Sequence, residues 1–294
     1  MDITHLKHYP PEKVRALFGL TLSALGTLLA KVLPELGRRR QVERTQRPER
    51  RRAVGGGRRR RLKPYQEVLL TLVYLRHNVA HAVVGELFGV SADTSENTFH
   101  EVVFGLRDVC PAQRWDAEKR WQKSEPSWTP GEVERVLIDS FESPVRRPSL
   151  PARQKRLYSG KKKRHTLKSQ VVTDAKGEIL DLDPGHRGPT ADKRVYEQST
   201  VEEQYPSTPK QGDLAYQGIA GVSVPHKKPP GGRLTEEQRA ENRRLAAVRV
   251  HVEHGIRRIK GWRIVRDDYR LALGLFPLIA STVVGLVQLV RIVG

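Results

Sequence analysis

Apolar residues recur at helical spacing near the start of the chain: Val14, Leu17 and Phe18, then Leu25, Leu28, Leu29 and Val32. The spacing predicts one or two helices within residues 1–36. A second helical stretch opens at Pro64 and carries Val68, Leu69, Leu72, Val73 and Leu75 on its apolar face as far as Arg76. A short helix over Ala80–Phe88 follows, with Val83, Val84, Leu87 and Phe88 directed inward. Gly89 is placed to stop it, Val90 to plug the turn and Ser91 to cap a third helix. Helix, Phe-Gly-Val-Ser turn, helix is the sequence shape of a helix-turn-helix. In such a unit the third helix presents Thr94, Ser95, Asn97, Thr98 or His100 to base edges.

Pro126–Gly131 marks a boundary, beyond which the pattern turns to strands. Val133–Asp139 reads as a strand ending on an acid, and Thr166–Thr173 with Glu178–Leu182 flank the turn Asp174–Gly177 as a hairpin. Helical patterns return around Lys193–Gln204 and from Thr235 onward. Strands followed by helices predict a mixed α/β domain with a central sheet. Leu271–Val290 is a run of 20 uncharged residues between Arg270 and Arg291, long enough for a membrane span. Pro277 and Gln288 interrupt it, so a buried closing helix of the core is the preferred reading.

Charge changes the picture more than composition does. The 294 residues hold 53 Lys and Arg against 33 Asp and Glu, a formal net charge of +20. Neutralising a polyanion releases its counterions, so a nucleic acid is the expected partner. Gly37–Arg61 carries 12 arginines against two glutamates, with Gly55-Gly56-Gly57 inside it. Such a segment is expected to form a flexible basic arm, with Arg58, Arg59, Arg60 and Arg61 contacting DNA backbone. Arg153–Lys168 holds eight basic residues and no acid, including Lys161, Lys162, Lys163 and Arg164. Cys110 is the single cysteine, which excludes an intrachain disulfide and a cysteine-rich zinc site and favours a reducing compartment. The start of the chain lacks the charged–apolar–cleavage order of a signal peptide.

Candidate chemistry lies in the carboxylates. Hard divalent ions take oxygen ligands, so metal-assisted phosphoryl transfer requires acids brought together from separate elements. Asp139, at the predicted strand end, is one; a turn acid is the alternative. Thr235-Glu236-Glu237-Gln238 fits a capping box and marks a helix start. Leu245, Val248, Val252, Ile256 and Ile259 then form one apolar stripe. At about 100° per residue, Arg249, Glu253 and Lys260 fall within an arc of roughly 40° at its border. Alone, Arg249 and Glu253 read equally as an i,i+4 ion pair on a solvated face. His165 and His186 read as structural rather than metal-binding.

The order Asp139…Asp213…Glu253, with Asp213-Leu-Ala-Tyr-Gln-Gly and Arg249-x3-Glu253-x6-Lys260, resembles the DDE transposases of bacterial insertion sequences, especially the branch related to Harbinger elements. The resemblance extends from Leu62 to the C-terminus. It implies an RNase H-like catalytic domain over 130–294, preceded by a helix-turn-helix domain over 62–125, a basic arm over 37–61 and N-terminal helices over 1–36. It implies Asp139, Asp213 and Glu253 as catalytic metal ligands for Mg²⁺ or Mn²⁺, two ions together. Arg249 and Lys260 are implied as DNA-phosphate contacts, with Glu142 and Asp192 as substitute ligands if Asp213 is misassigned. The implied activity is cleavage and strand transfer on double-stranded DNA at element ends and target. The implied setting is a cytoplasmic, nucleoid-associated homodimer with no membrane partner. The alternative is a non-catalytic DNA-binding relative, or, from the C-terminal apolar run alone, a membrane-associated protein.

Overall fold

A computed structural model describes residues 8–46, 60–122 and 132–294. Two N-terminal helices, α1 (Pro11–Phe18) and α2 (Leu22–Thr45), meet at Gly19, whose φ of 73° ends the first. Thr21 caps the second by accepting from the Ala24 amide. Here the structure corrects one expectation. Gly37–Thr45 is not arm but the last part of α2. Arg39 pairs with Asp108, and Arg40 pairs with Glu67 and Glu101, so these guanidiniums have carboxylate partners and lie against folded helices. Apart from Gln46, Arg60 and Arg61, the rest of the arm, Arg58 and Arg59 included, lies outside the described residues.

The three-helix unit is α3 (Pro64–His77), α4 (His81–Phe88) and α5 (Ala92–Val109). Gly89 adopts φ 68° and Ser91 accepts from the Thr94 amide, so the turn has the predicted chemistry. Gly85 has a further reason to lack a side chain, since a Cβ would stand 2.6 Å from the Val90 carbonyl oxygen. A short α6 (Arg114–Trp121) leads towards the second half.

That half is built on a sheet of strands β1 (Val136–Pro144), β3 (Arg164–Asp174), β4 (Ile179–Arg187), β5 (Lys210–Gln211) and β6 (Val222–Ser223). Their order is β4-β3-β1-β5-β6, antiparallel on one side of β1 and parallel on the other. This is the RNase H-like arrangement. A two-residue β2 (Tyr158–Ser159) after α7 (Pro151–Leu157) pairs with the start of β3. Between β4 and β5 lie α8 (Asp192–Gln198) and α9 (Val201–Gln204). Past β6 come α10 (Glu236–Lys260), α11 (Arg263–Arg266) and α12 (Phe276–Val293).

The two faces of the sheet have separate cores. Leu137, Phe141, Val171 and Leu182 join Val252, Ile256 and Ile259 of α10 on one side. Val136, Ile138, Val172 and Leu180 meet Tyr196, Val201, Tyr205 and Tyr216 on the other. The alternation follows from the period-two direction of strand side chains. The β3–β4 turn is pressed under α10 at Gly177. Its φ is 80°, and a Cβ there would come within 2.5 Å of the His251 carbonyl oxygen.

The apolar C-terminal run forms α12, long and apolar enough to cross a membrane by length and composition. In this fold 61% of that stretch is buried within protein, with Ile279, Val283 and Leu286 wholly enclosed. It packs against β4, α5 and α6, as a closing core helix does. The larger core therefore runs without interruption from Val14 through the helix-turn-helix to Leu289. Polar ties reinforce it: Asn78 donates to the Asp268 carbonyl at 3.1 Å, and Arg270 donates to the Asn78 carbonyl.

Candidate active site

Asp139 lies in the middle of β1, not at its end as the sequence pattern suggested. The strand continues through Phe141 and Ser143 because β3 offers an unbroken antiparallel partner from Thr166 to Asp174. Its Oδ1 accepts from the Ser140 amide at 2.7 Å. Asp213 follows β5 and caps a short 3-10 turn, its Oδ1 accepting from the Ala215 amide at 2.9 Å. The parallel register pairs Val136 with Lys210 and Leu137 with Gln211. Asp139 and Asp213 each stand two residues beyond the last of these pairs, and the charge of Asp213 acts on Asp139, so the two lie near each other where β5 ends.

The electrostatics agree with that placement. Burial raises the Asp139 carboxyl to about 6, and the negative charges of Asp213 and Asp192 push the same way. The Ser140 amide and the Arg249 guanidinium oppose them. Arg249 reaches from α10 to within 3.8 Å of Asp139 Oδ2, and its Nε is buried with no partner among the described residues. Lys260 holds its Nζ 5.4 Å from the Phe141 ring, two residues along β1. Burial lowers the pKa of that ammonium, and Lys162 lowers it further, while Asp139 and Glu142 pull it back. Arg249, Lys260 and Lys162 thus gather around the acids.

Tyr216, three residues beyond Asp213, is a functional candidate to which its local sequence assigns no role. It is 1% exposed, and its hydroxyl has no partner among the described residues. Burial raises its pKa well above the ordinary value, and the charges of Asp192, Asp139 and Asp213 reinforce the shift. Gly212 permits this packing, since a Cβ there would stand 2.7 Å from the tyrosine ring. An acid at a strand end followed by an aromatic three residues later was the available signal.

Glu253 is not gathered in. It is exposed on α10, one turn beyond Arg249. Among the described residues no group of three or more His, Cys, Asp or Glu is positioned to hold a metal. The donor chemistry of the Asp139–Asp213 pair does fit a divalent cation: two adjacent carboxylates, one raised by burial, beside an orphaned hydroxyl. The proposed substitutes are otherwise engaged. Asp192 Oδ1 accepts from Ser140 Oγ at 2.6 Å and from Lys168 Nζ at 2.7 Å, and Glu142 accepts from Thr166 Oγ1 at 2.6 Å. His186 lies 2.9 Å from Asp183 and His165 packs edge-on against Tyr158, both in structural surroundings.

The basic candidates divide. Lys161, Lys162 and Lys163 lie exposed on the turn between β2 and β3. Arg164 is ion-paired to Asp268. Arg60 is not free for DNA: it bonds Glu67 at 2.8 Å and Glu101 at 2.6 Å, while Arg61 is exposed. Ser95 requires correction as a base contact. It is wholly buried against His81, 3.1 Å from Nδ1, because it falls on the core-facing side of α5 with Phe99 and Val102. Thr98 is likewise buried, and Asn97 is exposed.

The family model described as DDE superfamily endonuclease matches residues 138–289, and that for its helix-turn-helix matches residues 60–111. A protein of Microchaete diplosiphon named as a probable transposase for insertion sequence element IS702 is 31% identical over 236 residues, 78% of this chain and 82% of its own. A Streptomyces albus G protein named for insertion sequence element IS112 is 26% identical over 217 residues, 73% of this chain and 76% of its own. The crystal structure of a pre-cleavage Mos1 transpososome overlaps 77% of this chain and 84% of its own, with 12% identity and a TM-score of 0.20. With the endonuclease model spanning both Asp139 and Asp213, its helix-turn-helix model matching just before them, and a relative 31% identical over 78% of the chain, the chain belongs to the DDE superfamily endonucleases.

Proposed function

We propose that this protein cuts double-stranded DNA at the ends of an insertion sequence and joins the freed 3′-hydroxyls to target DNA. The observation that supports this most is the nearness of Asp213 to the buried Asp139, each two residues beyond the last β1–β5 pair. On this reading the pair holds divalent metal, Mg²⁺ or Mn²⁺, and Glu253, exposed on α10 in this fold, has to turn towards the pair to complete the ligand set. Two such ions, on the order of 4 Å apart, stabilise the attacking and leaving oxygens of an in-line displacement. Arg249 and Lys260 contribute positive charge beside the acids, where the scissile phosphate has to lie. Lys161, Lys162 and Lys163 extend that charge along the duplex backbone, and Asn97 reads bases from α5. Handling two element ends together calls for a dimer.

The test is nicking of element-end duplexes in Mg²⁺ or Mn²⁺. Asp139→Ala, Asp213→Ala and Glu253→Ala are each expected to lower the rate on the order of 10³-fold or more, since each removes several kcal/mol of charge stabilisation. DNA binding is retained. Normal cleavage by Asp213→Ala would overturn the assignment, and normal cleavage by all three variants would leave a DNA-binding protein without this catalytic centre.

A further inference from the structure

Away from the acids, a cavity of about 760 Å³ opens where β1 ends. Six arginines line it: Arg146, Arg147, Arg153, Arg156, Arg187 and Arg270. No carboxylate lines it, and among the described residues none of the six is ion-paired. Elsewhere the fold pairs its guanidiniums readily: Arg40 with Glu67, Arg114 with Glu118, Arg263 with Asp267, Arg291 with Glu178. Convergence of like charges in a concave surface is unfavourable unless a polyanion offsets it. Arg147 and Arg270 are held by Gln154 and Asn78, whereas Arg153, Arg156 and Arg187 are exposed.

The cavity lies further along β1 and β3 from Asp139, with one of its lining residues on the same face of the sheet. Ser143 pairs with Leu167, which lines the cavity, and Asp139 pairs with Val171. These positions are separated by even steps, so Asp139, Phe141 and Leu167 share a face. Lys260, over Phe141, lies on the way. From Asp139 to Arg146 the extended chain covers about 23 Å at 3.3 Å per residue, roughly seven steps of a duplex rising 3.4 Å each.

We infer that this arginine-lined cavity binds the phosphate backbone of the DNA duplex roughly seven base pairs from the phosphate at the acids. The inference rests on the DNA-cutting reading for the position of the scissile phosphate, but not for the existence of the contact. Guanidinium groups match phosphate oxygens in a bidentate fork, and apolar Leu157 and Leu271 beside them suit the sugar edge.

The experiment measures binding of the full chain to a duplex of about 30 base pairs across a salt series, without metal, so that no cleavage intervenes. The triple variant Arg153→Gln/Arg156→Gln/Arg187→Gln is compared with wild type and with Arg263→Gln/Arg266→Gln, whose guanidiniums are paired to Asp267. The log–log salt slope is expected to fall by about two to three in the triple variant, at about 0.9 per phosphate contact. It is expected to hold in the paired-arginine control, with thermal melting confirming that both variants fold. An unchanged slope in the folded triple variant overturns the proposal, whether or not the wild type cuts DNA. So does loss of poly-glutamate binding with an unchanged duplex slope, which would assign the cavity to acidic protein. A reduced slope in a protein that never nicks DNA would retain the contact and reject the cutting reading.

Discussion

Arg249 on α10 and Asp139 on β1 face each other at 3.8 Å, and this contact draws the long helix to the acid pair. The guanidinium opposes the rise that burial imposes on Asp139. Arg249→Gln is expected to move the Asp139 midpoint upward in the metal-free protein, followed by carboxyl carbon chemical shifts. A midpoint that stays put would show that the contact carries no charge coupling.

The same burial has a stability consequence. Asp139 titrates near 6 in the fold, above its ordinary 3.8, so the folded state binds its proton more tightly than the unfolded chain does. Stability from this group is full below pH 3.8 and is lost as pH rises through about 6. Asp139→Asn is therefore expected to be more stable than wild type at pH 7, by up to about 3 kcal/mol at 1.36 kcal/mol per pH unit. The gain shrinks as pH falls towards 4. Urea unfolding at the two pH values checks it, and a variant less stable at pH 7 would contradict it. A group that costs stability but stays in place is what a metal site requires.

Glu67 is 2% exposed and bonds both Arg40 and Arg60, which also share Glu101. Glu67→Ala leaves two guanidiniums without their central partner. Loss of about 3–5 kcal/mol is expected in denaturant unfolding, the range for breaking a buried pair on one side. A loss under about 1 kcal/mol would mean that the network behaves as a surface cluster.

Ser95 and Asn97 are two residues apart on α5 but on different sides. Ser95→Ala is expected to cost about 1 kcal/mol of stability through its contact with His81, with DNA affinity unchanged. Asn97→Ala is expected to leave stability within about 0.5 kcal/mol and to relax base preference. Electrophoretic binding to a panel of duplexes separates the two, and loss of sequence preference in Ser95→Ala would reverse the assignment.

Much of this was legible in sequence because it is local. The Thr235 capping box, the Gly89–Ser91 turn and the Asp174–Gly177 hairpin each state their conformation within a few residues. What sequence could not give was long-range pairing. The arginines after Gly37 look unable to fold until Asp108, Glu67 and Glu101 are placed opposite them. Lys210–Gln211 is a poor strand by composition, with Pro206 and Pro209 just before it, and only its position beside β1 makes it one. Asp213 is accordingly poorly marked by its local sequence, yet in the fold its charge acts on the buried Asp139. Glu253 showed the opposite: well marked on its helix, but exposed rather than drawn to the pair.

The central claim, that Asp139 and Asp213 together hold the metal, is tested most directly by Mn²⁺ binding read by electron paramagnetic resonance. Wild type, Asp213→Asn and Asp192→Asn are compared. The account predicts that Asp213→Asn loses Mn²⁺ binding, while Asp192→Asn retains it, because Asp192 is already engaged by Ser140 and Lys168. Retention by Asp213→Asn with loss in Asp192→Asn would contradict it.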